Sequence, residues 1–205
     1  WIGAGFVLAL LAPWIHQLLK EKTGWILGLF PAGIFFYLLA QSRLPGLTIS
    51  HPWIPSLGLE LSIRLDGLAL LMGLLVSGIG ALILVYGGAY LHGHPYLGRF
   101  YAKILLFMSA MLGVVVSDNG LLLFIFWELT SISSFLLIGF EHEQPSARAA
   151  AWQALLVTGG GGLAMLAGFI MLSQITGSWS IQVWLNSAAL VQSSPMAGAI
   201  FWLIL

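Results

Sequence analysis

Six stretches of this chain are apolar for long enough to cross the hydrocarbon of a bilayer: roughly 2–19, 24–41, 67–91, 102–117, 120–140 and 149–173. A seventh begins near 197 and runs to the last residue, in "AGAIFWLIL" (197–205). Lipid offers the backbone no hydrogen-bond partner, so spans like these must satisfy their own N–H and C=O groups as helices. Composition agrees: 60% of residues are hydrophobic and only 7% charged, where a soluble domain carries about a quarter. The expected fold is an all-α integral membrane protein with six transmembrane helices and the start of a seventh.

Several function classes drop out. There is no cysteine, so disulfides, thiolate metal sites and thiol nucleophiles are excluded. Seven basic and seven acidic side chains cancel, and no basic stripe suggests nucleic acid. No Ser/His/Asp arrangement, metal cluster or nucleotide fingerprint emerges. The chain opens at Trp1 rather than Met and stops within an apolar run, as expected of a piece of a longer protein. Residues 1–19 lack the basic start and small-residue cleavage site of a signal peptide.

The connection 43–67, "RLPGLTISHPWIPSLGLELSIRLDG", differs from the spans. Within 59–65 apolar Leu59, Leu61, Ile63 and Leu65 alternate with Glu60, Ser62 and Arg64. Period two predicts a half-buried strand, with a partner near 47–54. A short β-hairpin is therefore expected in the loop at about 44–65. The connection 174–196, rich in Ser and Gln, reads as a loop with a short surface helix.

Loop charges give an orientation. If all six stretches span, Lys20, Lys22, Arg99, Lys103 and Arg148 fall on one side, and only Arg43 and Arg64 on the other. The positive-inside rule makes the first side cytoplasmic. The N-terminus and the hairpin are then external. Trp14, Trp25, Trp53, Trp152, Trp179 and Trp184 fall near span ends or in loops, as in an interfacial aromatic belt.

One span carries a carboxylate. Glu128 lies in "LLLFIFWELTSISSFLLIGF" (121–140). An ionised carboxylate at mid-membrane costs on the order of several kcal/mol, and such groups mark proton relays. Ser131 shares its helix face, while Thr130, Ser133 and Ser134 add hydroxyls able to hold water. The alternative is a neutral, structural Glu bonded to a neighbouring helix. Asp66 before Gly67, and Asp118 in the turn "SDNG" (117–120), read first as helix caps and second as the mouth of an ion path. His92 and His94 read as part of a solvated loop, as do Glu141, His142 and Glu143. The run Gly159–Gly162 favours close helix approach over an opened backbone. It is no phosphate loop, having neither the Lys nor a preceding strand.

The segments "WIPSLGLELSIRLDGLALLM" (53–72), "MSAMLGVVVSDNGLLLFIFWELTSISSFLLIGF" (108–140) and "GGLAMLAGFIML" (161–172) resemble the large antiporter-like membrane subunits. These are shared by respiratory complex I and the Mrp-type multisubunit cation/proton antiporters. The resemblance covers about 50–175. The large A-type subunit of the Mrp antiporters is the nearer: complex I relatives show a WEGVG-like stretch where this chain has "WELTS" (127–131). They also carry Arg and Asp where it reads "VTGGGG" (157–162).

The resemblance implies that Glu128 pairs with a lysine on the seventh helix in a proton relay, with Ser131, Thr130 and Ser134 as polar lining. An approaching ammonium favours the carboxylate, and its withdrawal favours the protonated form. No lysine follows Lys103, so that partner is expected beyond Leu205. The implied function is the N-terminal part of a secondary transporter, exchanging cytoplasmic Na+ for external H+ on the proton-motive force. It would be no enzyme, would need no cofactor or metal, and would sit among other Mrp membrane subunits in a bacterial inner membrane. Residues 1–118 would hold helices 1–4 and the hairpin, and 119–205 the start of the antiporter module. The alternatives are a proton-pumping subunit of complex I or of a membrane-bound hydrogenase, and a non-transporting scaffold.

Overall fold

Lys20 breaks the first apolar run in the computed structural model, which describes residues 1–42, 46–54 and 59–205. Arg43, Leu44, Pro45 and the 55–58 connection of the expected hairpin lie outside the described residues, as do the side chains of Trp53 and Leu59. Helix α1 (Ile2–Leu19) stops at Lys20, whose φ of 48° is unusual for a residue with a side chain. Helix α2 (Thr23–Gln41) follows one tight turn later. Thr23 Oγ1 closes that turn by donating to the Lys20 carbonyl at 2.6 Å.

Four further long helices follow: α3 (Gly67–Tyr90), α4 (Leu97–Val116), α5 (Gly120–Ile138) and α6 (Pro145–Thr176). Two short helices, α7 (Ile181–Asn186) and α8 (Ala188–Ser193), occupy the polar connection where one was expected. Helix α9 (Ala197–Ile204) then lies along α6, with Gly168 beside Ile204 and Leu203. Among the described residues five runs are fit by length and composition to cross a membrane, Ile2–Gln41 counting as one.

Packing shows how the runs fold back. Gly5 of α1 meets Ser109 of α4, while Pro13 and His16 meet Gly98, so these helices are antiparallel. Gly24 of α2 meets Leu84 of α3 and Leu38 meets Gly73, again antiparallel. The buried face of α3 is mostly small: Ala69, Gly73, Ser77, Gly80, Leu84 and Gly87, three or four residues apart. In lipid, apolar burial does not drive helices together, so close van der Waals approach between small residues must. A Cβ at Gly24 would stand 2.6 Å from the Leu84 backbone oxygen, which shows how near α2 and α3 come. The resulting core centres on Leu27, Leu38, Leu84, Tyr101, Leu105 and Leu112.

Strands β1 (Leu47–Ile54) and β2 (Leu59–Leu65) form the expected antiparallel hairpin. Leu47 faces Leu65 and Ile49 faces Ile63 across it. These four side chains line a cavity with Trp1, Ile2 and Tyr37 at the ends of α1 and α2. The alternation is only partly reflected in burial. Ser62 is buried because its carbonyl accepts from the Asp118 N–H at 3.0 Å, drawing the α4–α5 link over the polar face, while Leu61 is exposed.

Trp184 also departs from the interfacial belt. It is buried against Phe169, and its Nε1 donates to the Ser178 carbonyl at 2.7 Å.

Candidate functional site

Helix α5 is capped by Asn119, not by Asp118 as the sequence suggested. The Asn119 side chain accepts from the N–H groups of Leu121 and Leu122 at 3.0 and 3.2 Å. Asp118 is instead held in place: its carbonyl accepts from the Ile181 N–H at 2.9 Å and its carboxylate from Ser180 Oγ at 3.2 Å. With its backbone and side chain tied to α7 and β2, it cannot fold back over the helix start. Asp66 caps α3, accepting from the Ala69 N–H at 2.9 Å, and lies 3.7 Å from Arg64 Nε. Asp66 and Asp118 share the lining of one cavity of about 320 Å³ at this end of the bundle.

Glu128 sits in the middle of α5, on the side facing α6. Its Oε1 is buried and has no hydrogen-bond partner among the described residues. A buried polar atom left this way costs on the order of 1–3 kcal/mol. Nearly every such group in a folded protein finds a partner, which makes Glu128 the candidate among the described residues.

The neighbouring hydroxyls do not supply the partner. Thr130 Oγ1 donates to the Trp127 carbonyl at 2.7 Å, Ser131 Oγ to the same carbonyl at 3.3 Å, and Ser133 Oγ to the Leu129 carbonyl at 2.7 Å. All three bonds return to the helix itself. Ser134 lies one turn beyond Thr130 on the same helix.

What makes room for the carboxylate is Gly162. A Cβ there would overlap Glu128 Oε1 and touch Trp127, whereas Gly159, Gly160 and Gly161 have nothing within 4 Å. Helix α6 runs unbroken through all four, so the backbone is not opened, but only Gly162 makes the close approach expected of the run among the described residues. Sequence alone does not single out Gly162. The one available signal is its helical spacing from Phe169, seven residues on, which is buried on the same helix.

The charged loops gather at the opposite end from the hairpin. His92 Nε2 lies 3.2 Å from Glu21 and His94 Nε2 3.4 Å from Glu141. Among the described residues no group of three His, Asp or Glu could hold a metal ion.

Comparison with known proteins bears on this arrangement. A family model described as NADH:quinone oxidoreductase/Mrp antiporter, TM, matches residues 117–205. A second, described as the N-terminus of complex I chain 5, matches 53–101. The A1 subunit of a Na(+)/H(+) antiporter of Staphylococcus aureus is 43% identical over 194 residues, which is 92% of this chain and 24% of the relative. The chain thus spans about a quarter of the length of the curated relatives it matches. A structure of the Mrp complex from Dietzia sp. DQ12-45-1b superposes with a TM-score of 0.87 at 31% identity, covering 98% of this chain and 22% of that one. The membrane-bound sulfane sulfur reductase, an archaeal respiratory membrane complex, shares the fold, with a TM-score of 0.75 at 19% identity over 99% of this chain and 42% of that one. The chain belongs to the antiporter-like membrane subunits common to Mrp antiporters and NADH:quinone oxidoreductase, and within them it is related to the A-type subunits of the Mrp Na+/H+ antiporters.

Proposed function

We propose that this chain is the N-terminal part of an A-type Mrp subunit, and that Glu128 carries protons within it. The observation behind the reading is the buried, unpartnered Oε1 in a membrane-length helix. A cation brought to Glu128 from elsewhere in the complex would hold it ionised, and withdrawal of that cation would let it take a proton. Cycling between the two couples proton movement to the exchange of cytoplasmic Na+ for external H+. Ser131, Thr130 and Ser134 would line the path once water competes for their hydroxyls. The cavity shared by Asp66 and Asp118 would be its mouth at the hairpin end.

The reading includes a topology. In it α1 and α2 are separate crossings, six in all, with α9 opening a seventh; the reversal of the chain at Lys20 supports this reading. Residues 119–205 begin the antiporter module. The ends of the helices sort the charges: Lys20, Lys22, Arg99, Lys103 and Arg148 share the end away from the hairpin, which is then cytoplasmic. The N-terminus is external, and the membrane is a bacterial plasma membrane. Other Mrp membrane subunits are the partners.

The test is Glu128→Gln in the full-length protein within its complete complex. Na+-dependent proton exchange in inverted vesicles should vanish while the complex assembles normally. Undiminished exchange by an assembled variant would sink the relay. Proton pumping driven by a redox reaction, with no Na+-dependent exchange, would move the chain to the complex I branch.

A further inference from the structure

Three cations from two helices converge on one cavity of about 340 Å³ at the end of the bundle away from the hairpin: Arg99 and Lys103 of α4, and Arg148 of α6. Among the described residues no carboxylate lines it. Arg99 and Lys103 are four residues apart on one helix, a spacing at which like charges repel. Bringing Arg148 to the same cavity adds to that repulsion.

Two of the three are nevertheless fixed. Lys103 Nζ donates to the Leu136 carbonyl, in the last turn of α5, at 2.7 Å. Arg148 donates through Nη1 to the carbonyls of His142 and Glu143 at 2.7 and 3.1 Å. Each bond uses part of the side chain's donor set. An ammonium has three donors and a guanidinium five. The cavity is thus a preformed cluster of positive charge with donors to spare and no anionic side chain to take them.

The walls say which kind of anion fits. Trp152 and Phe135 meet edge to face at 5.3 Å beside the cations, and Trp152 is 57% exposed. Cations at a span end with an aromatic wall running into the span match a phosphate with a hydrocarbon tail. Basic pockets between transmembrane helices take lipid headgroups in this way. A free phosphate would have no use for the aromatic wall.

The geometry points to Arg99, Lys103 and Arg148 as a site for the phosphate of an anionic phospholipid, its acyl chain lying along Trp152 and Phe135. The site lies apart from Glu128, and its occupancy does not depend on the transport reading.

The experiment uses the complete complex, purified in detergent, with photoreactive phosphatidylglycerol as the probe. Adducts should map to peptides spanning 97–103 and 148–155. The Arg99→Gln/Arg148→Gln variant, which leaves the Lys103 bond to α5 intact, should lose them at least about tenfold. A photoreactive phosphatidylcholine should label these peptides weakly and equally in both proteins. Should the variant fail to assemble, the wild-type map alone decides. Adducts elsewhere, equal labelling by the zwitterionic lipid, or full displacement of the lipid by millimolar inorganic phosphate would each overturn the assignment, the last in favour of a free anion.

Discussion

The α1–α4 bundle and the α5–α6 pair are both apolar enough to span, yet they bury themselves to different extents. In its most apolar stretch, α4 is 50% buried within the chain, against 17% for α5 and 22% for α6. Leu27, Leu84, Tyr101 and Leu105 hold the bundle as a continuous core. The second core, Phe169, Leu172, Trp184 and Ile200, lies toward the hairpin end of α6. Glu128 belongs to neither cluster. The bundle uses its small residues to bring backbones together, as at Gly24. The pair uses Gly162 to accommodate a carboxyl group. The same residue type thus brings backbones together in one region and leaves room for a carboxyl group in the other.

That contrast can be broken by substituting glycines in turn. Gly162→Ala puts a methyl where Glu128 Oε1 lies. The carboxylate end can swing away, so the complex should assemble while Na+-dependent exchange falls by as much as about a hundredfold, the scale of an ångström displacement in a site. Wild-type exchange by this variant would detach Gly162 from the site. Gly24→Ala meets the Leu84 backbone, which cannot swing. It should destabilise the complex by about 1–3 kcal/mol, read as a lower midpoint of thermal unfolding, with the exchange per folded complex unchanged.

Smaller effects sharpen the comparison. Asp66→Ala removes the α3 cap and should cost about 1 kcal/mol in the same thermal assay. If exchange also fell sharply, Asp66 would belong to the path and not only to the helix. Gly160→Ala should be the mildest change. Nothing lies within 4 Å of a Cβ there, so helix propensity alone predicts a gain of no more than about 1 kcal/mol and unaltered exchange.

Much of this fold is legible in the sequence because its signals are local. The alternation at 59–65 identifies one strand of the hairpin and points to the other, and apolar run length locates the long helices to within a few residues. The break at Lys20 is readable only as the polar patch "KEKT" (20–23) between two runs. Its positive φ carries no sequence signature, since lysine rarely adopts one.

The α5 cap shows a different limit. Asp118 and Asn119 are both good capping residues, and the choice between them is made by Ser62 and Ser180, 56 residues before and 62 residues after Asp118. The site divides along the same line. A carboxylate within a span is visible in the sequence. That its Oε1 rests against Gly162 without a partner depends on how α5 and α6 are phased, which periodicity does not fix. Likewise Arg99 and Arg148 are 49 positions apart, and only the fold brings them to one cavity.

Everything proposed for transport turns on Glu128 taking up and releasing a proton. Infrared difference spectroscopy on the complete complex reads that event directly, comparing Na+-loaded with Na+-free states in the wild type and in Glu128→Gln. A protonated-carboxyl C=O band should change with Na+ in the wild type and be missing from the variant. The same Na+-dependent band in both proteins would show that the proton is carried by another group, and would leave Glu128 a structural carboxyl.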